Sequence, residues 1–206
     1  MGNKNSKHNV IFIDIDGVLN SLEFHNRDRS KKKLFDRECV KRLAEIVDEF
    51  DCLVVLASTW VVLNTKEKVR IGTKQEDGAK SSSAMYFKLL NELQSVGIIL
   101  YDQIEDEHIR PIGINDWLKE NIEIVENYAI IDDDYRFDDY VSMGNGLENH
   151  LVSTEYFCDI PGGIQKEHLE KIRNILNNKN KHLGSEDWQE KFKRLQRKID
   201  KYDNIK

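Results

Sequence analysis

Val10-Ile11-Phe12-Ile13-Asp14-Ile15-Asp16-Gly17-Val18-Leu19-Asn20 is an apolar run that ends in two aspartates and a glycine. Its β-branched and aromatic residues predict a buried parallel strand, and open α/β sheets bind ligands at the carboxyl ends of such strands. Asp14 and Asp16 are two residues apart, so on an extended chain they share a face and converge on one point. Two anions that close repel, and a metal or a basic side chain must compensate them. Gly17 accepts positive φ, which turns the chain away and opens space above Asp14.

Outward from this stretch, strand and helix patterns alternate. Asp36 opens a helical pattern in which Val40, Leu43, Ile46, Val47 and Phe50 recur at three- and four-residue spacings. The uniformly apolar Cys52–Ala57 follows as a second strand covered on both faces, and it ends in Ser58-Thr59-Trp60. Val61 to Ser83 reads as an irregular excursion or flap over the site. Ala84 to Val96 is helical again, and Ile98 to Tyr101 forms a short third strand. Arg110 stands at a helix start, with Pro111 in the first turn and Ile114, Trp117 and Leu118 as the buried stripe. Tyr128–Ile131 makes a fourth strand that terminates in Asp132-Asp133-Asp134, and His150–Ser153 a fifth. Pro161-Gly162-Gly163 then turns into a helix over Ile164 to Leu176. This alternation predicts an α/β fold with a Rossmann-like parallel sheet.

At 206 residues the chain is sized for one domain with trimmings. The organisation expected is a disordered leader over 1–8, a catalytic domain over 9–180 and a C-terminal amphipathic basic helix over 181–206. That last helix carries Trp188, Phe192, Leu195, Ile199 and Tyr202 at alternating four- and three-residue intervals. Its apolar stripe packs on the body or pairs with a second copy as a homodimer. From Lys171 onward there are eleven Lys/Arg against five Asp/Glu, so the end of the chain is +6 in a protein of net −6.

The longest apolar runs fall far short of a membrane span, so no transmembrane segment is expected. Cys39, Cys52 and Cys158 are odd in number and lack metal-ligand spacing, which predicts packed, reduced thiols and a cytoplasmic setting. Met1-Gly2-Asn3-Lys4-Asn5-Ser6 also fits the short N-myristoylation pattern. A single acyl chain would give marginal membrane contact, and a polar disordered leader is the simpler reading.

Asp14-Ile15-Asp16-Gly17-Val18-Leu19 resembles the first motif of the haloacid dehalogenase (HAD)-like phosphatase superfamily. A hydroxyl residue at the second strand end, a basic residue before the next helix and an acidic pair after an apolar strand follow in the superfamily's order. The resemblance covers roughly residues 8 to 176 and is similar in detail to the HAD domain of Swiss army knife RNA repair proteins. It implies that Asp14 is the nucleophile and that Asp16 handles the leaving-group and water protons. Ser58, or Thr59 one residue on, would hold a phosphoryl oxygen, and Arg110 would neutralise charge beside it. The implied cofactor is Mg²⁺, held by Asp14, the backbone carbonyl of Asp16, and Asp132 or Asp133.

Superfamily members acting on small metabolites often carry a large cap domain, for which this chain has no room. A minimal cap implies an open site suited to a phosphorylated polynucleotide end or a nucleotide. Lys31-Lys32-Lys33 and the last helix's Lys191, Arg194 and Arg197 are the candidate phosphate contacts. A catalytically silent binding or regulatory protein on the same fold is the alternative, and a myristoylated scaffold a third.

Overall fold

β1 (His8–Ile13) is the central strand of the molecule. It pairs in parallel with β2 (Leu53–Leu56) on one side and with β4 (Val125–Asp132) on the other. β3 (Leu100–Gln103) and β5 (Leu151–Ser153) complete a five-stranded parallel sheet in the order β3-β2-β1-β4-β5. The strand order reverses between β1 and β4, and the crevice at such a switch point is where doubly wound sheets bind ligands. The computed structural model describes residues 7–28, 33–63, 81–104, 109–135, 137–142, 146–157 and 161–178.

Successive side chains of each strand enter opposite cores, which is why Val10–Ile13 of β1, Val54–Leu56 of β2 and Tyr128–Ile131 of β4 are apolar without alternation. Ile11, Ile13, Val54, Leu56, Ala129 and Ile131 pack beneath α2 (Arg37–Phe50), α3 (Ser81–Gln94) and α6 (Lys166–Asn177). Val10, Phe12, Val55, Tyr128 and Ile130 face α4 (Arg110–Glu120) and Tyr140 of α5 (Phe137–Ser142). Phe12 meets the edges of Trp117 at 5.3 Å and Tyr128 at 6.1 Å, so the central strand is clamped by aromatics on that side. The α/β parallel sheet expected from the sequence is therefore the fold observed.

Three local expectations are corrected. The third strand lies at Leu100–Gln103 instead of Ile98–Tyr101, because Ile98 belongs to the end of α3: Gly97, at φ +86°, turns the chain, and Ile98 N–H bonds back to Leu93 O at 3.0 Å. Ser21 to Lys33, a polar and charged run whose composition predicts a loop over the site, contains α1 (Leu22–Arg27), started by Ser21 Oγ accepting from Phe24 N–H at 3.2 Å and anchored by buried Phe24. The final described helix begins at Lys166, since Ile164 is spent bonding to Val18 O at 2.9 Å.

Gly2 and Ser6, Lys31 and Lys32, residues 64–80 of the excursion, Cys158 and the whole 181–206 segment lie outside the described residues. No helix among the described residues is long and apolar enough to cross a membrane. Cys39 and Cys52 are free thiols that burial pushes up to about 12, so both are packing residues with little thiolate character.

Candidate active site at the β1/β4 switch point

Asp14 is the first residue past β1 and is only 6% exposed. Its N–H continues the sheet by bonding to Ile131 O at 3.0 Å, which fixes the carboxylate at the mouth of the crevice. Oδ1 accepts from Ile15 N–H at 2.7 Å, and Oδ2 faces Arg110 Nη1 at 2.8 Å. Ser58, just past the end of the neighbouring β2, places its hydroxyl where it favours the charged form of the Asp14 carboxyl, and its Oγ accepts from Trp60 N–H at 3.3 Å. Ser58 is buried, whereas its alternative Thr59 is exposed at the start of the 3₁₀ turn Thr59–Leu63.

Asp132 ends β4 and is fully buried. Oδ1 accepts from Arg110 Nη1 at 2.5 Å, Asp134 N–H at 3.0 Å and Tyr135 N–H at 3.2 Å, while Oδ2 accepts from Tyr140 Oη at 3.0 Å. Arg110 is thus a buried bridge between Asp14 and Asp132, with the Tyr135 ring 5.1 Å from its guanidinium carbon. A cation at a helix start opposes the helix dipole. Here two carboxylates outweigh both that and the burial that works against its charge, and they hold Arg110 protonated more firmly than usual.

Asp133, the next residue after Asp132, packs its side chain against Gly17. A Cβ on Gly17 would collide with the Asp133 carboxyl, and the loop is at φ +69° there, so both the turn and the close approach require glycine. Ligand oxygens of Asp14, Asp132 and Asp133 fall within 4.8 Å of one another. Burial pushes Asp14 up to about 6, with Arg110 opposing and Asp132 adding to the rise. Burial also pushes Asp133 up to about 7, reinforced by Asp14, Asp132 and Asp134. Three carboxylates against one guanidinium leave an excess of negative charge, and their hard oxygens are the donor set that Mg²⁺ takes. The residues present fit a divalent cation.

Asp16 is placed differently from the expectation. The chain leaves the extended form at Asp14 and closes a turn, with Leu19 N–H bonded to Ile15 O at 2.9 Å, so the two carboxylates do not share a strand face. The Asp16 side chain is exposed and outside the Asp14, Asp132 and Asp133 group. It is held by Trp60 Nε1 and Asn20 Nδ2, each donating at 2.8 Å. Asn20 in turn accepts from Gly17 N–H at 3.1 Å and donates to Leu34 O at 3.3 Å, so one amide organises the whole loop. Asn20, Trp60, Tyr135 and Tyr140 are the site residues that sequence reasoning gave no role. Asn20 and Trp60 were in view beside the acidic and hydroxyl motifs, but nothing in their spacing reveals a bond between loops forty residues apart.

Stability should respond to the excess charge. The unfolded chain ionises Asp14 near 3.8 and the folded state near 6, so the native form retains a proton that the unfolded form has lost, and stability falls as pH rises through that window. For Asp14 the difference amounts to about 3 kcal/mol at most; Asp133 acts in the same direction up to about 7, weakened by its partial exposure. The metal-free protein is expected to melt at a lower temperature at about pH 7.5 than at about pH 5.5, and millimolar Mg²⁺ should flatten the slope. Calorimetry with and without a chelator checks this; identical slopes would mean that no divalent cation binds these carboxylates.

A parallel sheet carrying this carboxylate group at its switch point defines a HAD-like domain. Residues 10–160, well over half the chain, match the family described as the HAD domain in Swiss Army Knife RNA repair proteins, and the chain belongs to that family. Comparison with curated proteins and with solved structures finds no match. Family membership points to phosphatase-type hydrolysis, and the HAD family generally uses Mg²⁺.

Proposed function

We propose that the protein is a Mg²⁺-dependent phosphomonoester hydrolase working through an aspartyl-phosphate on Asp14, with phosphorylated nucleic-acid ends or nucleotides as its substrates. The observation that carries this is the convergence of Asp14, Ser58, Arg110, Asp132 and Asp133 from three strand ends and a helix start, with Asp16 pinned two residues along. In the first half-reaction an Asp14 carboxylate oxygen bonds to phosphorus as the ester oxygen departs, and Asp16 gives that oxygen a proton. In the second, water attacks phosphorus, Asp16 takes its proton, and the bond to Asp14 breaks to release inorganic phosphate. Ser58 Oγ and the Arg110 guanidinium stabilise the phosphoryl oxygens by hydrogen bonding and charge. Mg²⁺ would be held by Asp14, Asp132, Asp133 and the Asp16 carbonyl, and it would supply positive charge to the phosphoryl group.

The nucleic-acid part of this reading rests on the RNA repair proteins for which the family is named and on the expectation of a minimal cap. Among the described residues only α1 and α2 lie between β1 and β2, with no folded cap domain. A cytoplasmic setting belongs to the same reading. The decisive assay is phosphate release, with Mg²⁺ and with chelator, from nucleotides, 3′- and 5′-phosphorylated oligonucleotides and phosphopeptides. Release only with Mg²⁺, and fastest from oligonucleotides, is the expected result. No release from any ester would leave a silent binding protein on the same fold.

Trp60 acts in this scheme as a positioning residue. Trp60→Phe preserves an aromatic ring against Phe35, whose ring lies 5.5 Å away, and removes the donor to Asp16. A lost hydrogen bond to a charged acceptor is worth about 1.5–3 kcal/mol, so kcat should fall roughly tenfold or more with little change in KM. Steady-state kinetics beside a thermal melt checks this; an unchanged kcat would show that Asn20 alone suffices.

A further inference from the structure

A row of aromatic side chains stands on the rim of the site and takes no part in the reaction chemistry. After β5, Thr154 N–H bonds to Asp132 O at 2.9 Å, and the chain then crosses the loop that follows β1. Tyr156 O accepts from Leu22 N–H at 3.0 Å, Glu155 O from Gly163 N–H at 3.1 Å, and Val18 O from Ile164 N–H at 2.9 Å. The segment carrying Tyr156 and Phe157 is thereby tied to the loop that carries Asp16, Gly17 and Asn20.

The rings form a continuous path. Phe24, buried, lies 5.3 Å from the His25 ring, His25 lies 6.4 Å from Tyr156, and Tyr156 meets Phe157 edge to face at 4.9 Å and 83°. Phe157 is 82% exposed, more than any other large hydrophobic side chain among the described residues. Tyr156 stands within the field of Asp16 and Asp133, which add to burial in holding its hydroxyl protonated. The row therefore runs from buried Phe24, through Tyr156, to solvent-exposed Phe157. The exposure of Phe157 presents its ring to a flat ligand.

We propose that His25, Tyr156 and Phe157 form a stacking subsite for the nucleobase of a phosphorylated nucleotide or strand end whose phosphate lies at Asp14. This rests on the phosphatase reading for the phosphate's place, and it adds what recognises the rest of the substrate. A nucleobase suits a platform tied to the Asp16 loop but outside the carboxylate group, because a ribose separates the base from the phosphate. A phosphotyrosine ring is joined to the ester oxygen itself and has no such spacer. Stacking on an exposed aromatic ring also tolerates any base, as an enzyme acting on chain ends requires.

The test is binding to the full-length Asp14→Asn protein, in which a phosphate ester survives. The probe is a tetranucleotide with 2-aminopurine beside its terminal phosphate, and a matched strand lacking that base is the control. Phe157→Ala, on an exposed residue whose removal spares the core, should weaken binding of the base-bearing strand roughly tenfold and abolish its fluorescence quenching. Phe157→Trp should restore both, and the abasic strand should lose far less. Equal affinity with and without Phe157, an equal loss for the abasic strand, or no binding of either strand would overturn the subsite. So would a phosphotyrosine peptide whose affinity depends on Phe157 while the oligonucleotide's does not. The readout needs no turnover, so absence of phosphate release from the wild type would refute the hydrolase reading and leave the stacking result to stand or fall alone.

Discussion

Asp14→Asn is expected to reduce Mg²⁺-dependent phosphate release by roughly three orders of magnitude or more, the usual scale for loss of a covalent nucleophile. The substitution keeps the shape of the side chain and removes the charge that attacks phosphorus. The fold should survive, because the amide oxygen still accepts from Ile15 N–H and the buried cluster loses one of its mutually repelling carboxylates. A thermal melt at neutral pH should accordingly show a midpoint no lower than that of the parent. Chelation should silence the parent as well. Turnover unchanged in Asp14→Asn would remove Asp14 from the mechanism, whereas loss of activity accompanied by unfolding would leave its role open to Asp14→Glu, which keeps the charge and displaces it.

The parts of the molecule legible in the sequence are those where one physical demand dominates. The stretches Val10–Ile13, Val54–Ala57 and Tyr128–Ile131 are buried on both faces, so each is an unbroken apolar run that ends at a polar residue: Asp14, Ser58 and Asp132. Edge elements answer to more than one demand. Ile98 is as apolar as a strand residue, yet it closes α3, and β3 begins two residues later. α1 is six residues long and owes its existence to the Ser21 cap and one buried ring, a signal too short for periodicity. Within the site, the carboxylates and the hydroxyl announced themselves as strand-end residues. The turn at Ile15–Leu19 that separates Asp16 from Asp14 depends on Asn20 bonding to Gly17 and Leu34, and such contacts exist only once the loops have met.

The burial of Arg110 is the largest feature that composition could not show, since an arginine before a helix is most often on the surface. Arg110→Met, nearly matched in length, is expected to destabilise the metal-free protein by about 3–5 kcal/mol, because it leaves Asp14 and Asp132 buried without their shared counter-charge. For a domain of this size that corresponds to a fall in Tm of roughly 6–20 °C. Two further measurements separate this electrostatic account from simple loss of packing. Saturating Mg²⁺ should recover much of the lost stability, since a cation at Asp14, Asp132 and Asp133 supplies the missing charge; at one hundred times Kd the linkage is worth about 2.7 kcal/mol. Adding Asp14→Asn to Arg110→Met should also raise Tm above that of Arg110→Met alone, giving strongly non-additive effects across the pair. Arg110→Lys, which keeps the charge but cannot span both carboxylates with a planar fork, should fall between the parent and Arg110→Met. If Arg110→Met were as unstable with Mg²⁺ as without it, and additive with Asp14→Asn, then Arg110 would serve the fold through its aliphatic stem, and its place between the carboxylates would have no electrostatic purpose.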